Sequence, residues 1–186
     1  LLVVDEAYVE YASLAPGYPD VLALLRARSM PWIVLRTFSK AWGLAGLRVG
    51  YGLASDAALV QLLDRVRTPF NVNYAAQTAA LAAWGDEAHM QHAVAETVRL
   101  REQLAARLRA APGLQGMRIA PSATNFLFID LGRPNGPVDE ALLAHGIITK
   151  PWEDPGFETF LRVSVGTAQD LERLVQALTA ILGAAA

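Results

Sequence analysis

The sequence predicts an α/β fold, and three observations carry that prediction. Short continuous apolar runs, such as Leu1-Leu2-Val3-Val4 and Trp32-Ile33-Val34-Leu35, have the length of strands buried on both faces. Longer segments with apolar residues at helical spacing separate them, Asp56 to Val66 and Glu87 to Ala110 among them. Polar and ionisable residues follow directly on two of the apolar runs. In open α/β sheets ligands bind just outside the carboxyl ends of strands.

The elements follow in order. Leu1 to Val4 is the first strand, with Asp5-Glu6-Ala7-Tyr8 at its C-terminal end. A loop rich in Tyr, Gly and Pro runs to Pro19. A helix starts near Asp20, with Arg26 and Arg28 at its dipole-complementing end, and Pro31 stops it. Trp32 to Leu35 is the next strand, and Leu47 to Leu53 another, thinned by Gly50 and Gly52. Asp56 opens a helix whose Leu59, Leu62, Leu63 and Val66 share one face. Thr68 to Asn73 is a loop, Tyr74 to Trp84 an alanine-rich helix ended by Gly85, and Asp86 caps the long helix Glu87–Ala110.

Beyond Pro112-Gly113 the chain alternates as a small α/β unit. Strands are expected at Met117 to Ile119, Asn125 to Leu131, Ile147 to Thr149 and Phe160 to Val165. Pro137 suits the first position of a helix that Gly146 ends. Thr167 and Asp170 make a capping box for a last helix carrying Leu171, Leu174, Val175, Leu178 and Ile181. The domain boundary is expected in the long helix, giving units 1–90 and 91–186, and the last three alanines read as a tail.

Composition narrows the function classes. The chain has 186 residues, 53% hydrophobic and 18% charged, with net charge −2. That balance gives no electrostatic reason for a nucleic-acid or anionic-membrane partner. There is no cysteine, hence no disulfide framework and no thiolate chemistry. No apolar run approaches the roughly 20 residues that span a bilayer, and no secretory signal is visible, which fits a cytoplasmic protein. His89 and His92 stand at i and i+3 without a third partner, so no metal site is expected. The chain starts inside a strand without a methionine, which reads as a fragment.

The chemistry concentrates in Arg36-Thr37-Phe38-Ser39-Lys40-Ala41-Trp42-Gly43-Leu44-Ala45-Gly46-Leu47-Arg48-Val49-Gly50. Thr37 and Ser39 offer hydroxyl donors and Arg48 a planar charged fork, a set suited to an anionic phosphate. The glycines permit close backbone approach. Lys40 is then an amine held beside a phosphate-bearing ligand, and such an amine can form a Schiff base with a carbonyl. A lone loop lysine is ordinarily just solvated; the combination is what carries weight. Upstream, Asp5 and Tyr8 could serve a heterocyclic cofactor, or Asp5 could cap a turn while Tyr8 packs on the sheet.

Val4-Asp5-Glu6-Ala7-Tyr8, Thr37-Phe38-Ser39-Lys40 and Gly46-Leu47-Arg48-Val49-Gly50 resemble the cofactor-binding half of the aspartate-aminotransferase-like, fold type I enzymes that use pyridoxal phosphate. Within that group the chain resembles histidinol-phosphate aminotransferase. Ala45-Gly46-Leu47-Arg48-Val49-Gly50, Arg67-Thr68-Pro69-Phe70-Asn71-Val72-Asn73 and Leu161-Arg162-Val163-Ser164-Val165-Gly166-Thr167 add to the match, which covers essentially the whole chain. The resemblance implies the C-terminal part of a pyridoxal-phosphate-dependent transferase fold. Residues 1–90 would be the second half of the large cofactor domain and 91–186 the small C-terminal domain, with roughly the first half of the parent enzyme absent. It implies a homodimer that moves an amino group between histidinol phosphate and 2-oxoglutarate.

Roles follow from the resemblance. Lys40 would hold the cofactor and shuttle a proton. Asp5 would pair with the pyridine nitrogen, keeping the ring an electron sink, and Tyr8 would donate to the 3-oxygen. Thr37, Ser39 and Arg48 would hold the phosphate. Arg162 would clamp the substrate carboxylate or phosphate, although an edge-strand surface arginine fits the residue pattern as well. Lys150 stands where many relatives carry arginine, which keeps the charge but loses the fork. Trp152 could stack on a substrate ring or belong to the core. Asn71 and Asn73 could reach the active site or simply form turns. An aromatic amino-acid aminotransferase and a phosphothreonine-type decarboxylase share the same cofactor frame. A non-catalytic module is the alternative of another class, and the segment alone is expected to have little activity.

Overall fold

A computed structural model describes residues 1–183; the alanine tail expected at the C-terminus lies outside them. The chain forms two compact units, Leu1–Val94 and Ala95–Ala186, each described by itself below.

In the first unit, strands β1 (Leu2–Asp5), β2 (Trp32–Thr37) and β3 (Gly50–Ala54) form a sheet in that order. β1 runs parallel to β2, and β3 antiparallel to it. Strand β1 departs from the expectation of burial on both faces. It pairs on one side only, and Leu1, Leu2 and Val3 are 70%, 37% and 53% exposed.

The loop expected after Tyr8 begins instead with a short helix α1 (Val9–Ala12). Helix α2 (Val21–Arg26) begins where Asp20 accepts the Ala23 N–H at 3.0 Å, and packs Leu25 with Trp32 and Val34. β3 starts three residues later than expected. Ala45–Leu47 form a 3-10 turn, and Arg48 adopts a left-handed backbone with φ 57° that delays the strand.

Helix α3 (Ala57–Val66) is capped by Asp56. Its apolar face is not buried: Leu62, Leu63 and Val66 are exposed. Helix α4 (Tyr74–Trp84) is capped by Asn73, whose Oδ1 accepts the Ala76 N–H at 2.8 Å. Its Ala76 and Ala80 pack on Phe38 and Val49. Small alanine side chains allow that approach to the loop carrying Lys40.

Helix α5 (Glu87–Ala110) runs across the boundary between the units. The second unit holds an antiparallel sheet in the order β4 (Arg118–Ile119), β5 (Phe126–Asp130), β7 (Phe160–Ser164), β6 (Lys150–Pro151). Helix α6 (Asn135–Ala144) begins two residues before Pro137, with buried Asn135 donating to the carbonyls of Trp152 and Phe160. Helix α7 (Ala168–Gly183) opens with the expected capping box. Asp170 accepts the Thr167 N–H at 2.9 Å, and Thr167 Oγ1 accepts the Asp170 N–H at 3.2 Å. Leu104, Leu108, Ile129, Leu142, Leu161 and Leu178 centre the core.

The strand expected at Ile147 to Thr149 forms instead at Lys150–Pro151. Gly146, at φ 71°, and the Ile147 N–H bonded to Leu142 O close α6, so the chain reaches β7 only at Lys150.

Candidate active site

In the first unit, the C-terminal ends of β1 and β2 and the loop after β2 enclose a cleft of about 290 Å³. Asp5, Ala7, Leu35, Arg36, Thr37, Ser39, Lys40 and Arg48 line it. Five of the residues singled out from the sequence, Asp5, Thr37, Ser39, Lys40 and Arg48, thus share one wall system.

The local folding explains why. Asp5 closes β1, and its Oδ1 accepts the Ala7 N–H at 2.9 Å, turning the chain outward. Thr37 ends β2. Its hydroxyl oxygen accepts the Ser39 N–H at 3.0 Å, a local turn that presents the Ser39 and Lys40 side chains. The Phe38 N–H donates to Val49 O at 3.1 Å and the Leu44 N–H to Phe38 O at 2.9 Å, cinching the loop at its base. Phe38 then packs against Trp42, Tyr51 and Trp84. At Gly50 a Cβ would stand 2.7 Å from Arg36 O, so only glycine lets β3 lie this close to β2.

Lys40 Nζ lies 5.4 Å from the Tyr8 ring centroid, within cation–π range. Arg48 is anchored by its Nη1 donating to Ala45 O at 2.8 Å, with a longer contact of 3.5 Å to Ser39 Oγ. The lining of the cleft therefore includes a carboxylate, a hydroxyl–guanidinium pair and an amine. That arrangement can hold a phosphorylated heterocycle bearing a carbonyl: the anion on Ser39 and Arg48, a ring nitrogen at Asp5, and the carbonyl at Lys40. The residues present fit such a group.

Sequence reasoning passed over Glu6 and Arg36 as separate players. Glu6 is 5% exposed, and its Oε2 accepts from Arg36 Nε at 2.9 Å and Nη2 at 2.8 Å. Tyr18 donates to Glu6 Oε1 at 3.1 Å. Burial and then the bond to Glu6 push the Tyr18 phenol above its ordinary pKa. Burial pulls the Arg36 pKa down, but its bonds to Glu6 and Tyr51 outweigh that and raise it. The signal was legible in strand alternation: adjacent residues point to opposite faces, so Asp5 and Glu6 cannot do the same work. Asn73 is occupied as the cap of α4, and Asn71 lines a different cavity with Phe70, Val72 and Trp84.

The second unit holds the other two residues. Arg162 lies on β7, an interior strand, so it is not an edge-strand arginine. Its register neighbours are Phe128 on β5 and Lys150 on β6. Its guanidinium stands 5.3 Å from the Phe126 ring centroid. Arg162 Nε is buried with no hydrogen-bond partner among the described residues. Lys150 reaches Glu153 at 3.7 Å and is otherwise half exposed. Trp152 meets the Phe128 ring edge-on at 5.4 Å, within a cluster that includes Phe157 and Phe160. Among the described residues no group of three or more His, Asp or Glu is placed to hold a metal, and no helix is long and apolar enough to cross a membrane.

Histidinol-phosphate aminotransferase 3 of Rhizobium meliloti is 48% identical over 178 residues, covering 96% of this chain and 47% of that protein. Histidinol-phosphate aminotransferase 1 of Mesorhizobium japonicum is 48% identical over 182 residues, covering 98% and 48%. The chain spans about half the length of the curated relatives it matches. Among solved structures, the histidinol-phosphate aminotransferase from Sinorhizobium meliloti in complex with pyridoxal-5'-phosphate superposes with a TM-score of 0.83. It is 31% identical and covers all of this chain and 50% of that one. The fold expected from the sequence, part of a fold type I transferase, is the one found. The family model for aminotransferase class I and II matches residues 1–178, and the chain belongs to that family.

Proposed function

We propose that this chain is the cofactor-anchoring part of a pyridoxal-phosphate aminotransferase that moves an amino group between histidinol phosphate and 2-oxoglutarate. One observation carries the reading: Lys40 lines the same cleft as the Asp5 carboxylate and the Ser39–Arg48 pair. The names of the relatives support the substrate, and the ligand of the Sinorhizobium meliloti enzyme supports the cofactor. Residues 1–90 would be the second half of the large domain and 91–186 the small domain of a dimeric, cytoplasmic enzyme. Turnover belongs to the longer protein, and the segment alone is expected to show little.

When bound, pyridoxal phosphate supplies a carbonyl for amine capture and an electron sink for the charge left at the substrate Cα. The protein's residues do the rest. Lys40 holds the cofactor, yields its place to the substrate amine and moves the proton at Cα. Asp5 accepts a hydrogen bond from the ring nitrogen and keeps it protonated. Tyr8, under the Lys40 amine, donates to the ring 3-oxygen. Thr37, Ser39 and Arg48 fix the phosphate.

Arg162 receives the substrate anion. A buried donor without an acceptor costs about 1–3 kcal/mol, and an anion on Arg162 Nε removes that cost. Lys150 adds a second positive charge beside it, as a point charge rather than a fork. The Phe128–Trp152 pair beside these cations favours one second reading, an aminotransferase for aromatic amino acids, because it offers an aromatic wall next to a carboxylate clamp.

A single half-reaction tests the proposal. The full-length protein is loaded with pyridoxal phosphate and given histidinol phosphate or tyrosine without a keto acid. Rapid conversion of the cofactor to its amine form by histidinol phosphate alone supports the leading reading. Conversion by tyrosine alone replaces it with the aromatic one.

A further inference from the structure

Two segments meet at the Lys40 amine, and a second contact ties them together. Lys40 Nζ stands 5.4 Å from the Tyr8 ring centroid. Two residues further along each segment, the Trp42 indole N–H donates to Glu10 Oε1 at 3.0 Å. Tyr8 to Glu10 and Lys40 to Trp42 are thus joined at both ends, although thirty-two residues separate the partners in sequence.

Trp42 is the fixed side of that tie. Its ring stacks on Trp84 of α4 at 5.5 Å and 19°, and meets Phe38 at 5.6 Å. The Gly43 N–H donates to Lys40 O at 3.1 Å and the Leu44 N–H to Phe38 O at 2.9 Å, which closes the loop around it. Glu10 lies on α1, a single turn of four residues. One helical turn has little stability of its own, so side-chain contacts set where it lies. Buried Tyr11 seats the turn in the fold, and Glu10 hooks it to the Lys40 loop. Tyr8 immediately precedes the turn, and its carbonyl accepts the Tyr11 N–H at 3.0 Å and the Ala12 N–H at 2.9 Å. The position of the Tyr8 ring therefore follows that of α1.

Resting on the cofactor reading given above, we propose that Glu10 is a positioning residue: through Trp42 it holds α1 against the Lys40 loop, and so keeps the Tyr8 hydroxyl on the 3-oxygen of the bound cofactor. Glu10 itself does not line the cleft, so it acts through Tyr8. A phenol donating to the 3-oxygen stabilises negative charge there and lowers the pKa of the linkage between Lys40 and the cofactor. A phenol out of place loses that effect, while the residues that hold the phosphate keep theirs.

The test is a double-mutant cycle on the full-length protein loaded with pyridoxal phosphate. Its readout is the midpoint of the pH-dependent change in cofactor absorbance. Tyr8→Phe removes the phenol and should raise the midpoint by about one pH unit. Glu10→Ala should raise it at least half as much. Trp42→Phe keeps the ring stack and loses the N–H, so it should match Glu10→Ala, and it carries the same test should Glu10→Ala fail to fold. Glu10→Gln retains an acceptor oxygen and should restore the wild-type midpoint. The double variant Tyr8→Phe, Glu10→Ala should titrate where Tyr8→Phe alone does, because no phenol is left to place. An unshifted midpoint in Tyr8→Phe, Glu10→Ala or Trp42→Phe overturns the positioning role and leaves the cofactor reading standing. So does a Glu10→Ala shift that adds in full to that of Tyr8→Phe. A wild type without a cofactor band that depends on Lys40 overturns both.

Discussion

Lys150 and Arg162 are register partners on neighbouring antiparallel strands, and Arg162 Nε is buried without an acceptor. Like charges directly opposite on a sheet are destabilising, and Glu153 relieves Lys150 only at 3.7 Å. Two cations held side by side beside an unfilled donor are an arrangement that an anion completes. Lys150→Gln should raise KM for a phosphate-bearing substrate about tenfold, equivalent to about 1.4 kcal/mol. Arg162→Gln should cost more, in both half-reactions. Steady-state kinetics with phosphorylated and unphosphorylated amines reads the difference, and equal effects on both would count against phosphate recognition by Lys150.

Arg48 sits at φ 57°, a conformation that non-glycine residues adopt at some cost. Its retention there is expected to serve the anion rather than the fold. Arg48→Gly should stabilise the unliganded protein by up to about 1 kcal/mol. It should also weaken pyridoxal phosphate binding about 10- to 100-fold, the worth of a charge-assisted hydrogen bond of about 1.5–3 kcal/mol. Thermal melting without cofactor and a binding titration with it should therefore move in opposite directions.

Asp130 contributes to the stability of the second unit against acid. Burial raises the carboxyl pKa, but the Gly132 N–H, the Thr159 hydroxyl and Arg118 together bring it below the ordinary value. A depressed folded-state pKa means stability that is present above the unfolded value, about 3.9. That stability is lost as pH falls through the folded one. Asp130→Asn should cost about 1–3 kcal/mol at neutral pH, the penalty of a disrupted buried partner. It should also flatten the dependence of stability on pH below 4, as followed by denaturant titration.

Asn73 caps α4, the helix that supports Phe38 under the Lys40 loop. Asn73→Ala should cost about 1 kcal/mol, and Asn73→Ser much less, because serine also accepts a helix N–H. Chemical unfolding of the three proteins separates this capping role from a direct role in substrate binding, which serine would not rescue.

Much of this was legible in the sequence. Helix α5 has the bounds that its apolar spacing and Asp86 indicate, and Thr167 with Asp170 caps α7 as expected. The grouping of Thr37, Ser39, Lys40 and Arg48 followed from their types and spacing. What the sequence could not convey was enclosure. Leu1 to Val3 and the Leu62, Leu63 and Val66 face have the pattern of buried elements, yet stand exposed among the described residues. Periodicity reports that a face is apolar, not that anything covers it. The Glu6–Arg36 bond was hidden because it links residues thirty apart through a parallel pairing, and only the register of β1 on β2 brings them together. Arg48 delayed β3 because a left-handed arginine has no compositional sign.

The central claim is that Lys40 carries the cofactor, and one measurement reaches it directly. The full-length protein is mixed with pyridoxal phosphate, reduced with borohydride, digested and weighed by mass spectrometry. The account predicts one added pyridoxyl phosphate on the peptide containing Lys40, absent in Lys40→Ala and preserved in Lys150→Gln. Label on other lysines alone, or equal labelling of Lys40→Ala, would contradict it.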